Sequence, residues 1–165
     1  MLLGLFWPGT SGLLLTCVLL LIPSGSVAPE GLKLQTPPLP YERTIAVKSF
    51  AKEKLWYWQK RLNLTDWQIS LAVVRSTELR PNTLGNIRWD LENKTATIRV
   101  LDPADYAMPL HEMLDDIEVT VVHELIHLKR DLVLNQYSRN EANRRKEEHA
   151  VNHVTETLLK LDRER

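Results

Sequence analysis

The chain has 165 residues, 44% hydrophobic and 25% charged, with 21 basic side chains against 21 acidic ones. These are ordinary values for a globular protein, and a formal net charge of zero gives no bulk drive toward nucleic acid or an anionic membrane surface. Cys17 is the single cysteine, so neither a disulfide nor a thiolate metal ligand is available beyond the first 28 residues.

Leu13 to Ile22 is an apolar run of ten residues, followed by the small-residue stretch Pro23 to Ala28. This is the pattern of a secretory signal peptide over residues 1–28. No Lys or Arg precedes the run and the first charge is Glu30, which keeps a mispredicted start codon as the alternative. The first reading makes the protein secreted or periplasmic, the second cytoplasmic. Pro8, Gly9 and Gly12 interrupt the stretch, and ten clean apolar residues are too few for a stable membrane span. Cys17 follows Thr16 inside the apolar run, which does not fit a lipid-attachment site. Residues 29–43 carry Pro37, Pro38 and Pro40 and read as a linker, with one domain predicted over 44–165.

Val47, Ala51, Leu55, Trp58 and Leu62 recur at helical spacing and predict a first helix, with the aromatic run Trp56-Tyr57-Trp58 expected in the core. Asp66 to Val74 reads as a strand. Asn86 to Trp89 and Thr95 to Val100 read as two more, joined as a hairpin across Asp90 to Lys94. Ile98 and Val100 alternate with Thr97 and Arg99, so one face of that strand should be buried. Asn63-Leu64-Thr65 and Asn93-Lys94-Thr95 match the glycosylation triplet, a pattern common by chance, and carry no functional reading. The short basic clusters Lys129-Arg130 and Arg144-Arg145-Lys146 are flanked by acids and read as solvated surface.

The chemistry of the chain is concentrated in His123-Glu124-Leu125-Ile126-His127, the H-E-x-x-H pattern of zinc hydrolases. Residues four apart lie on one helix face, so the neutral rings of His123 and His127 can reach one zinc ion at about 2.0 to 2.1 Å. Glu124 is rotated about 100° from His123. That is too far round for a ligand, but suits a general base acting on a zinc-activated water whose pKa falls to about 7. A chance match is disfavoured by the rest of the helix. Ile117, Val121, Leu125 and Leu128 form an apolar stripe, and Thr120, His123 and His127 share the neighbouring face. Two imidazoles at the margin of a buried stripe need a partner, and a metal is one.

The third ligand sorts such sites. Arg130 and Val133 stand where a metzincin has its glycine and third histidine, which excludes that class. The remaining candidates lie in a closing helix, capped by Ser138 with Glu141 and given an apolar face by Ala150, Val151, Val154, Leu158 and Leu161. His149 and His153 line up with Glu156 and Lys160 in a polar row that faces water. Glu147 falls at the centre of the apolar face and Glu148 at its edge, so helical phase favours Glu147. Chemistry favours Glu148, because Asn152 one turn later can hydrogen-bond the outer nitrogen of a ligating histidine.

The segment Glu148-His149-Ala150-Val151-Asn152-His153-Val154-Thr155-Glu156-Thr157-Leu158-Leu159 resembles the E-x-x-A-N-x-F-A-x-x-L-L helix of ImmA/IrrE-type peptidases. It is also similar to the E-x-x-[IV]-N-x-[LV]-A helix of small phage and bacterial metallopeptidases. Val151 and Thr155 replace the alanines of the first pattern. The leading Glu of those helices is the third zinc ligand, so the resemblance implies His123, His127 and Glu148 as metal ligands, with Glu147 as the alternative third ligand and Asn152 supporting a histidine. The group is that of the gluzincins, whose smallest members are the minigluzincins, and the resemblance spans roughly residues 44 to 161. It implies an α+β, minimal zincin-like domain: an N-terminal helix, a small mixed sheet with a hairpin, the H-E-x-x-H helix and a C-terminal ligand helix.

In such a fold an edge strand above the metal holds the peptide substrate, here expected to be Thr95 to Val100, with Tyr137 or Arg144 as candidate oxyanion partner. The functional expectation is a zinc-dependent metallopeptidase acting on a peptide or protein substrate, with Glu124 as general base. The alternatives are a zinc-holding binding or regulatory protein without proteolysis, and a hydrolase of a non-peptide amide.

Overall fold

A computed structural model of the chain describes residues 39–134 and 141–165. The apolar leader, most of the linker, Tyr137 and Ser138 lie outside the described residues. The element order is helix α1 (Pro40–Arg61), strands β1 (Gln68–Val74), β2 (Gly85–Asp90) and β3 (Thr95–Leu101), then helices α2 (Leu110–Leu134) and α3 (Glu141–Arg163). The architecture is α+β, with three helices and a small mixed three-stranded sheet.

Helix α1 starts earlier than its apolar spacing suggests, inside the stretch read as linker. Pro40 occupies the first helical position, where its missing N–H costs nothing, and Glu42 reaches back to accept the Leu39 N–H at 2.9 Å. The helix ends where Asn63 takes a left-handed conformation, φ 55°. Asn63 and Leu64 then return their N–H groups to Lys60 and Gln59, a Schellman closure that buries Leu64. Val47, Ala51, Leu55 and Trp58 are buried as their spacing predicts. The aromatic run divides, however: Trp58 is buried, Tyr57 is half-buried, and Trp56 is 67% exposed because it points to the opposite side of the helix.

β3 is the centre of the sheet. β1 pairs with it in parallel from Gln68↔Thr95 to Val74↔Leu101, and β2 pairs antiparallel from Gly85↔Val100 to Asp90↔Thr95. Ala96, Ile98 and Val100 are buried against the helices, so the alternation along β3 holds. The expectation that Thr95 to Val100 is an edge strand fails, because β1 occupies its second side. The edge that runs over α2 is β2.

Helix α2 lies between α1 and α3 and beneath the sheet. Met113, Ile117, Val121, Val122, Leu125 and Leu128 are fully buried, each contributing about 1.5 to 3 kcal/mol as apolar area removed from water. Helix α3 docks through a different face from the one its hydropathy suggests. Val151, Thr155 and Leu159 are buried, whereas Val154 is 41% and Leu161 52% exposed, and Ala150 is exposed too. At its far end Asp162 accepts the Tyr57 hydroxyl at 2.6 Å and pairs with Arg61 at 2.6 Å, tying α3 to α1. No helix among the described residues is long and apolar enough to cross a membrane.

Candidate metal centre

The docked face of α3 decides between the two adjacent glutamates. Glu148 is three residues before Val151 and seven before Thr155, so it shares their row and turns toward α2, while Glu147 is about 100° behind it. Glu148 Oε2 lies 3.5 Å from His123 Nε2 and 3.5 Å from His127 Nε2, and the two Nε2 atoms are 3.0 Å apart. One donor atom from each of the three residues falls within 4.8 Å of the others.

The set fits a metal. Zinc–nitrogen bonds of about 2.0 to 2.1 Å at the tetrahedral angle place two donors roughly 3.3 Å apart, close to the three separations given above. Two imidazole lone pairs facing each other at 3.0 Å also require a proton or a cation between them. Burial, reinforced by the neighbouring His127 ring, lowers the His123 pKa against the opposing pull of Glu148 and Asn152. That favours the neutral imidazole that ligates metals.

Glu147, weighed from the sequence as the alternative third ligand, is on the outer side of His127 instead. Its Oε1 lies 3.3 Å from His127 Nδ1 and 2.7 Å from Arg130 Nη1. His149 and His153 are exposed.

Glu124 is buried beside this group and is not one of the three converging donors. Burial first, and then the Glu148 carboxylate, push its pKa up to about 8, against a smaller opposing pull from the Ile87 backbone on β2. Leu84 O accepts the Leu101 N–H, which sets the phase of the strand. The backbone polar groups of Gly85, Ile87 and Trp89 therefore turn away from β3 toward the free edge. β2 is held close to α2 at two points. Trp89 Nε1 donates to Asp131 at 3.0 Å. At Gly85, an added Cβ would lie 2.5 Å from Thr120 Cγ2 and 2.7 Å from the Arg99 carbonyl oxygen.

The histidines, Glu124, Glu148 and Asn152 open with the β2 edge onto a cleft of about 1220 Å³. Arg144 also lines it, and its rival as oxyanion partner, Tyr137, lies outside the described residues. Sequence reasoning missed Gly85, the Trp89–Asp131 tie and the Arg130–Glu147 pair. Only Gly85 carries a local signal, since a glycine entering a strand marks close backbone approach. In comparisons with known proteins, the chain matches no family model, no curated protein and no solved structure.

Proposed function

We propose that the chain is a zinc-dependent metallopeptidase of the gluzincin type, with His123, His127 and Glu148 as ligands and Glu124 as general base. The observation that carries this reading is the convergence of two imidazole nitrogens and one carboxylate within 4.8 Å, with a separate buried carboxylate beside them. A purely structural zinc site has four protein ligands and no use for a base. Zinc in this site supplies Lewis acidity and makes water a nucleophile near neutral pH.

The residues divide the remaining work. Glu124 takes the proton from the attacking water and returns it to the leaving amine. The free edge of β2 aligns an extended peptide by main-chain hydrogen bonds, as an added strand over the cleft.

The test compares wild type with Glu124→Gln on a mixed peptide library, with zinc measured by elemental analysis of both. Zinc at one per chain in each, cleavage by wild type and a loss of about 10²- to 10⁴-fold in the variant are expected. Zinc held by both with no cleavage by either refutes the peptidase reading and favours a binding protein. No zinc in either refutes the metal site.

A further inference from the structure

We propose that Glu147, paired with Arg130, is the positioning residue of the metal site: it accepts the His127 Nδ1 proton and so presents Nε2 as the donor atom. The inference rests on the reading of His123, His127 and Glu148 as metal ligands and adds a role that this reading does not require.

A neutral imidazole carries one N–H, and only the other nitrogen has a lone pair for a metal. His127 is therefore a competent ligand at Nε2 in one of its two tautomers, the one protonated at Nδ1. Glu147 Oε1 lies 3.3 Å from Nδ1. A carboxylate there can only accept, which selects that tautomer, fixes the ring plane and raises the basicity of the opposite nitrogen.

Two adjacent glutamates on one helix also pose a choice, because either carboxylate has the chemistry of a ligand. Arg130 resolves it. The guanidinium, three residues beyond His127 on α2, lies 2.7 Å from Glu147 Oε1 and holds that carboxylate on the outer side of the ring. The Glu147 side chain is 16% exposed against 41% for Glu148. The more enclosed carboxylate is thus the one committed to Arg130 and His127, and the more open one faces the cleft.

Two measurements on the full chain test this. The first needs no zinc: histidine ¹⁵N–¹H long-range correlation on protein stripped with a chelator. His127 should be protonated at Nδ1 in wild type and in Glu147→Gln, whose amide oxygen still accepts, and should become a tautomer mixture in Glu147→Ala. A wild-type ring protonated at Nε2 overturns the proposal. The second is zinc affinity by competition with a chromophoric chelator. Glu147→Ala should bind about 10- to 100-fold more weakly and Glu147→Gln should recover part of the loss. The double variant Arg130→Gln/Glu148→Ala should bind more tightly than Glu148→Ala alone, as the released Glu147 takes the empty place.

Unchanged affinity in Glu147→Ala overturns the positioning role, and a double variant no better than Glu148→Ala overturns the part given to Arg130. Wild type that holds no zinc sinks the metal reading instead, and the tautomer then decides the His127–Glu147 contact independently.

Discussion

Replacing Gly85 with alanine should lift β2 from α2. The new Cβ would lie 2.5 Å from Thr120 Cγ2 and 2.7 Å from the Arg99 carbonyl oxygen, closer than such atoms approach in packed proteins. Neither neighbour yields easily. Thr120 Oγ1 donates to Asp116 O at 2.9 Å, so turning the methyl aside breaks that bond. The carbonyl belongs to the central strand, which is paired on both sides. Overpacking of this kind costs about 1 to 3 kcal/mol, while the reduced freedom of the unfolded chain returns about 0.4 to 1 kcal/mol. At the middle of each range the net loss is about 1.3 kcal/mol, which a urea m-value of about 2 kcal/mol/M converts to a midpoint lowered by roughly 0.6 M. Urea titration followed by circular dichroism measures it. Adding Thr120→Ser to Gly85→Ala should recover part of the loss, relative to Thr120→Ser alone, because the methyl goes and the Arg99 contact stays. A Gly85→Ala midpoint within about 0.2 M of wild type would refute the close approach of strand and helix.

Glu118 is buried and accepts Trp58 Nε1 at 2.8 Å and Lys54 Nζ at 2.9 Å. Glu118→Ala strands the indole N–H in the core and should cost about 1 to 3 kcal/mol in a urea titration; Glu118→Gln, whose oxygen still accepts from Trp58, should cost less. Asp105 bonds Arg75 and the Ser76 N–H, and the Arg75 guanidinium, with that N–H behind it, holds its carboxyl below the ordinary carboxylate range. A depressed folded-state pKa gives stability that is fully present above the unfolded value, about 3.9, and is lost as pH falls through the folded one. The stability gap between wild type and Asp105→Asn, measured by denaturant titration at several pH values, should be constant near neutrality and shrink below about pH 4. A gap that widens in acid would contradict the assignment.

Helix α2 was the most legible element, because Ile117, Val121, Leu125 and Leu128 recur at the helical period and all four are fully buried. The H-E-x-x-H spacing carried its geometry with it for the same reason. Helix α3 was misread at its face. Val154 and Leu161 are apolar but exposed, while Thr155, a polar residue by any scale, is fully buried. Counting the first two rotated the expected face toward Glu147. The hairpin was legible from its alternation and turn residues, including Asp90, which accepts N–H groups of Glu92 and Asn93. That β3 would be central was not legible, since alternation reports which face is buried and is silent on how many strands pair at the sides. The Arg130–Glu147 contact joins two helices and leaves no mark in either local sequence.

The division of the donor set between two helices has a mechanical consequence. His123 and His127 are fixed by the burial of Leu125 and Leu128 between and beside them, so their spacing is a property of α2 alone. Glu148 reaches them only if α3 is docked in the right rotation. That rotation is set by Val151, Thr155 and Leu159 and, at the other end, by Asp162 with Tyr57 and Arg61. Fourteen residues of helix, about 21 Å, separate Glu148 from Asp162. A rotation of α3 by one residue, about 100°, would exchange Glu148 for its neighbour, so the packing of that helix against α1 and α2 selects which carboxylate meets the histidines. A metal bound to all three residues favours the docked helix over any undocked state by its differential affinity. On the proposed reading, metal binding and helix packing form one equilibrium: loosening α3 at Asp162 would weaken metal binding two nanometres away.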